Sequence, residues 1–266
     1  MKFLFTISFV ILSIVCNAQM DCRNVEPLLH KLWKHETGSA SWKRVSDSLI
    51  AICPNSAKLW VDKGQAHLLR GDFIEGMQYV NKAAKLDPHY FLGSRAWYKV
   101  YYLHDYEGAI QDLDTLERIS GRTFVYVTNI HMYMIKGIAY DQLHNPERAL
   151  HCFNLAIDEQ VKEKGDNWVG SYDYLLRGIH HYRAGHYEEA IRDLTREVKE
   201  YEALADTYYY RGLAYASVGQ KDEAKADLEH ARELMLGAGQ KRWEPVFVYP
   251  NEIFLSEVET AIRRLY

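Results

Sequence analysis

Three histidines stand close together, His180, His181 and His186, and clustered imidazoles are a usual beginning of a metal site. Their spacing does not suit one. Adjacent residues on a helix point about 100° apart, and only residues three or four apart share a face. No metal site is expected there. His151 and Cys152 fail as a nucleophile–base pair for the same reason, since the two side chains must converge. Cys152, beside Phe153 and Ala156, reads instead as a small buried hydrophobe. Glu188-Glu189 reads as a solvated charged face. Gly237-Ala238-Gly239 follows a helical pattern rather than a strand, so it is a helix stop and not a phosphate-binding loop. No cofactor motif is present, and an enzyme is not expected.

The elements that carry these residues are mostly helical. The chain has 266 residues, 48% of them hydrophobic, enough for a sizeable core. Only six residues are proline, which suits helices, while twenty are tyrosine. The net charge of −4 argues against nucleic-acid binding, which needs a basic face.

Lys2 precedes an uncharged, mostly apolar run at residues 3–15, which ends in Cys16-Asn17-Ala18. The run is too short to span a bilayer, for which about 20 residues are needed. With small residues at the positions a signal peptidase reads, residues 1–18 are expected to be a signal peptide, with the mature chain starting at Gln19. Lipid anchoring through Cys16 is the alternative, although Val15 is not the small residue such processing favours. The expected location is exported, periplasmic or extracellular, in a bacterial envelope. No later stretch is apolar enough to span a membrane.

Residues 19–56 read as a helical hairpin. Val25, Leu28, Leu29, Leu32 and Trp33 fall at helical spacing, Gly38-Ser39 breaks the pattern, and Trp42, Val45, Leu49 and Ile52 resume it. The start of the first helix and the end of the second then lie together, which places Cys22 beside Cys53. A disulfide there is one possibility and two free thiols the other.

A repeat then dominates residues 57–238. Gly212, Tyr215, Gly219, Ala224, Leu228 and Ala231 match Gly137, Tyr140, Ala149, Phe153 and Ala156. Gly178, His181, Gly185, Tyr187, Ala190 and Leu194 give a third unit, and Gly64, His67, Gly71, Phe73, Gly76 and Val80 a fourth. A fifth runs through Val100, Tyr106, Ala109 and Leu113, with Trp97 read at the small position. The small residues at 76, 109, 149, 190 and 224 are 33, 40, 41 and 34 apart. Two of these spacings carry six or seven extra residues, around 120–128 and 162–169. The pattern resembles the tetratricopeptide repeat (TPR) family, whose period is about 34 residues. The resemblance implies an all-α, right-handed superhelical solenoid of helix pairs. Residues 239–266 are read as a loop with Trp243, Phe247 and Tyr249, followed by a capping helix with Asn251 as its N-cap.

In the TPR family the first helix of each pair lines a concave groove that takes extended peptides or helices. Carried onto this sequence, the resemblance nominates Tyr98, Tyr101, Tyr102, Met134, Asp141, Tyr182, Arg183 and Tyr209. Tyrosine supplies large contact area and one polar handle. Packing of these tyrosines between neighbouring helices is the alternative reading. Arg183 is the only basic member, so a clamp for an acidic C-terminal peptide is not expected. Three functions compete. The first is an exported adaptor that binds a protein or peptide in the groove. The second is a structural subunit of an envelope assembly, held by its ends or convex face. The last is an enzyme or sugar-binding protein, disfavoured because no paired carboxylates flank the groove. The oligomeric state and the partner's identity are left open.

Overall fold

The computed structural model describes Cys22 and residues 26–170, 172–237 and 250–265. The expected signal peptide with Cys16, and the aromatic loop at 243–249, lie outside the described residues. The chain divides into two compact units, Met1–Ser56 and Ala57–Tyr266.

The first unit is a helical hairpin, α1 (Glu26–Leu32) and α2 (Ala40–Ile52). Ser39 caps α2, its Oγ accepting from Trp42 N at 3.2 Å. Leu29, Leu32, Trp42, Leu49 and Ile50 are buried. Cys22 and Cys53 are joined as a disulfide with Cα atoms 5.5 Å apart.

The second unit stacks five helix pairs: α3 (Ala57–Leu68) with α4 (Phe73–Leu86), α5 (Pro88–Tyr98) with α6 (Tyr106–Ser120), α7 (Met132–Gln142) with α8 (Pro146–Lys164), α9 (Asp173–Arg183) with α10 (Tyr187–Glu200), and α11 (Ala205–Ser217) with α12 (Lys221–Leu236). A last helix, α13 (Leu255–Leu265), follows. Asp87, Asp105 and Asn145 cap α5, α6 and α8 by accepting backbone N–H bonds in the first turn.

Small residues set how closely the helices of a pair approach. A Cβ on Gly64 would lie 2.7 Å from Val80 Cγ2 and 2.8 Å from the Gly76 carbonyl oxygen. On Gly137 it would meet the Phe153 ring at 2.5 Å. Burying a Val, Leu or Phe side chain contributes roughly 1.5–3 kcal/mol, and Val80, Leu113, Phe153, Leu194 and Leu228 form the fully buried row of second-helix residues.

The second pair departs from the others. Its first helix ends in a π-helical turn, Lys99–Leu103, which adds a residue. The left-handed turn residue that follows, His104, therefore falls one place later than its counterparts Gly71, His144, Gly185 and Gly219. Ala96, fully buried, and not Trp97, holds the small position. Counting back twelve residues from Ala109, the interval of the other pairs, lands on Trp97, one residue late, because the π turn between them holds an extra residue.

The last helix also differs from its expectation. Asn251 has a φ of 71° and sits outside α13. Glu257 instead accepts from Phe254 N at 2.8 Å, closing the first turn from within.

Candidate functional site: a cleft walled by two insertions

The helices α5, α7, α9 and α11 contribute to one cleft. Two features that a minimal repeat lacks form its walls, and both fall where the repeat spacing is too long. The first is a short antiparallel hairpin, β1 (Tyr126–Val127) and β2 (Ile130–His131), in which Val127 pairs with Ile130. Its turn residues, Thr128 and Asn129, have φ of 48° and 70°, the requirement of a two-residue type I′ turn. The second is the connection from α8 to α9, where Tyr172 is held at φ 76°. A bulky residue rarely adopts that conformation.

Between these walls lies a cavity of about 460 Å³. Trp97 and Tyr101 border it on one side, their ring centroids 4.7 Å apart. Thr128, Asn129 and Ile130 close the hairpin side, Ile138 comes from α7, and Leu175, Leu176 and Ile179 come from α9. Asp173 and Asp206 contribute carboxylates from the first turns of α9 and α11. Pro250 and Asn251 complete the rim. Four of the six non-glycine residues with positive φ among the described residues, Thr128, Asn129, Tyr172 and Asn251, line this one cavity. Backbone strain of this kind persists only where the surroundings impose it, and it gathers at functional sites.

One buried amide ties the walls together. Gln160 on α8 is fully buried, and its Oε1 accepts from Tyr126 Oη at 2.8 Å and from Gly170 N at 3.0 Å. Its Nε2 donates to Asp173 Oδ2 at 2.6 Å and to the Ala156 carbonyl at 3.0 Å. The hairpin, the α8–α9 connection and the start of α9 therefore share one partner. Glu197 on α10 adds a second brace, accepting from Tyr172 N at 3.0 Å and Leu175 N at 3.2 Å. Burial, then the nearby Glu197 charge, raises the Asp173 carboxyl to about 7. Burial likewise raises Glu197 to about 7.

A second, open cavity of about 680 Å³ adjoins the first. Asp141 is its charged centre, accepting from Arg183 Nη1 at 2.9 Å and bonding His180 Nδ1 at 2.8 Å. Asn251 lines both cavities. Gln142 Nε2 donates to Asn251 Oδ1 and Tyr210 Oη to its carbonyl, each at 3.4 Å, so this residue spans α7 and α11 across the cleft.

Outside the cleft, one contact recurs along the stack. The residue before each small position is basic: Lys63, Arg95, Lys136, Arg177 and Arg211. Arg95, Arg177 and Arg211 bond both oxygens of Asp112, Asp193 and Asp227 on their own second helices, at 2.6–2.8 Å. Each also reaches the second helix of the preceding pair, at Asn81, Asn154 and Thr195. In the third pair Cys152 replaces the aspartate, and Lys136 turns to Asp114 at 2.6 Å and Glu117 at 3.1 Å on the preceding α6. In the first pair Lys63 sits over the Tyr79 ring, 4.4 Å from its centroid.

The sequence model of the tetratricopeptide repeat family matches residues 57–90 and 205–234, the first and last pairs. No curated protein sequence matches the chain. Among solved structures, a tetratricopeptide repeat protein from Parabacteroides merdae is similar over 90% of this chain and 98% of its own, at 16% identity and a TM-score of 0.52. The fold is a TPR solenoid. Yeast Tom70 matches 91% of the chain with 47% of its own length, at 13% identity and a TM-score of 0.61. The MamA protein matches 68% of the chain with 92% of its own, at 20% identity and a TM-score of 0.53. The three middle TPR pairs, which the family model passes over, carry the π turn, the hairpin and the long α8–α9 connection.

The TPR stack disperses the residues nominated from sequence. Tyr98, Tyr102 and Met134 are buried inside it, with Tyr98 and Tyr102 rings 5.8 Å apart and Tyr102 against Phe73. Tyr101 is also buried but edges the first cavity. Asp141 and Arg183 meet in the second cavity. Tyr182 and Tyr209 are half-buried, each in ring contact with Tyr210. The histidines diverge: His180 bonds Asp141, and His181 approaches Asp193 at 3.8 Å. Among the described residues, no three His, Cys, Asp or Glu side chains converge as metal ligands. Trp97, Asp173, Asp206 and Gln160 were not nominated. The long spacings at 120–128 and 162–169 were the signal that pointed toward them.

Proposed function

We propose that this chain is an exported TPR scaffold that holds a protein or peptide partner in the cleft between its two insertions. The convergence of both insertions on one aromatic-walled cavity, tied through Gln160, carries the reading. In repeat stacks, insertions that share a face often build the binding surface. A binding protein fits better than an enzyme. Burial raises the Cys152 thiol to about 11, which keeps it protonated and unreactive. No helix among the described residues is long and apolar enough to cross a membrane. The leader-like residues 1–18 support export, and so does the Cys22–Cys53 pair, because disulfides persist in oxidising compartments.

The test uses Asn129→Gly together with Tyr172→Gly. Glycine suits the positive φ of both positions, so the variant empties the wall while keeping the fold. The mature chain is crosslinked in its native envelope fraction and recovered with its partners. A partner found with the wild type and lost with the variant supports the cleft. Equal recovery opposes it. Fractionation and N-terminal sequencing of the recovered chain check export, with Gln19 as the expected first residue.

A further inference from the structure

We infer that the 460 Å³ cavity accepts a cationic side chain, lysine or arginine, from the partner segment, an inference that rests on the cleft being the partner site. The chemistry of the lining selects the charge. Two carboxylates, Asp173 and Asp206, border the cavity, and none of its lining residues among those described is lysine, arginine or histidine. Both carboxylates lie in the first turns of helices, whose N-termini each carry about half a positive charge. A carboxylate outweighs its own helix terminus, and no lining residue among those described supplies a cation, so the cavity complements a cationic donor better than an anion.

The walls select the shape. Trp97, Tyr101 and Tyr172 offer ring surfaces, and a cation near such faces is attracted to their negative quadrupole. Ile138, Leu175 and Ile179 offer an apolar path for an alkyl stem. Lysine and arginine combine an apolar stem with a charged head, and they bury the first while keeping the second beside polar groups. The volume lies within the roughly 300–1,000 Å³ of small-ligand sites, so the side chain enters with an apolar neighbour.

The test uses four acetylated, amidated peptides of glycine and serine around one central residue: lysine, arginine, norleucine or glutamate. Each is titrated into the isotope-labelled mature chain and followed by NMR at the Trp97 indole. The lysine and arginine peptides are expected to bind about tenfold more tightly than norleucine, and glutamate more weakly still. Asp206→Asn is expected to bring lysine down to the norleucine level. The wild-type comparison stands even if that variant does not fold. Equal or tighter binding of norleucine overturns the charge inference and leaves the cleft standing. Binding of none of the four overturns both.

Discussion

The hydroxyl of Tyr126 donates a 2.8 Å hydrogen bond to Oε1 of Gln160, 34 residues further along the chain. The bond joins a hairpin that a TPR does not need to a helix that every TPR has. The opposite end of the same amide holds Asp173, so both walls of the cleft hang on one side chain. Gln160→Ala strands the Tyr126 hydroxyl, the Gly170 N–H and Asp173 together. Each buried polar group left without a partner costs about 1–3 kcal/mol. Denaturant unfolding should show a loss of about 2–4 kcal/mol. Hydrogen exchange should speed up at 126–131 well before the helices α3 and α4 respond. Uniform exchange across the stack would contradict this role.

The raised carboxyls make stability fall as pH rises. Asp173 goes from 3.8 to about 7 on folding and Glu197 from 4.5 to about 7, chiefly through burial. Between those values the folded chain holds protons that the unfolded chain has released. Stability is therefore full below about pH 4 for these two groups, declines toward about pH 7, and is flat above. Urea midpoints at about pH 5 and about pH 8 should differ less in Asp173→Asn than in the wild type. An unchanged difference would remove Asp173 from the account.

The Arg177–Asp193 contact, with both side chains largely buried, predicts that a double change is less damaging than a single one. Arg177→Met leaves the Asp193 carboxylate without its main partner and should cost about 3–5 kcal/mol. Arg177→Met with Asp193→Leu replaces a charged pair by apolar volume and should recover most of that. A double-mutant cycle measures the difference, and additive losses would argue against coupling.

For the N-terminal hairpin, Cys53→Ser should lower the stability of residues 22–53 by about 3.7 kcal/mol, the chain-entropy value for a loop of that length. Mass spectrometry of unreduced tryptic peptides from the exported chain should find Cys22 linked to Cys53. Free thiols at both positions would count against the pairing.

The helix pairs could be read from sequence because each carries its own marks: a small residue on the first helix, another on the second, and a turn between. Ser39 and the Gly38 break gave the hairpin in the same way. The register of the second pair could not be read, since the π turn at Lys99–Leu103 leaves no compositional mark, and Tyr98 and Tyr102 are buried where the unshifted spacing put them on the groove. The hairpin escaped because its strands are two residues long and its turn is Thr128-Asn129 rather than an Asn-Gly pair. The Arg-to-Asp contacts were visible as a spacing of 16 or 17 residues but fall on polar positions that a search for apolar periodicity ignores. Asp173, Asp206 and Gln160 looked like solvated helix residues. Only the folding of two insertions over them makes them part of a cavity. Asn251 looked like a cap, and nothing in its neighbours announced that it spans the cleft.

The most direct test of the cleft places a photo-crosslinking phenylalanine derivative at Tyr172, an exposed aromatic position on the cavity wall, and separately at Arg192 on the outer surface of α10. Cells carrying each version are irradiated and the adducts compared. A partner adduct from position 172 and none from 192 is the predicted result. An adduct from 192 with none from 172 would place the partner elsewhere on the solenoid and contradict the account.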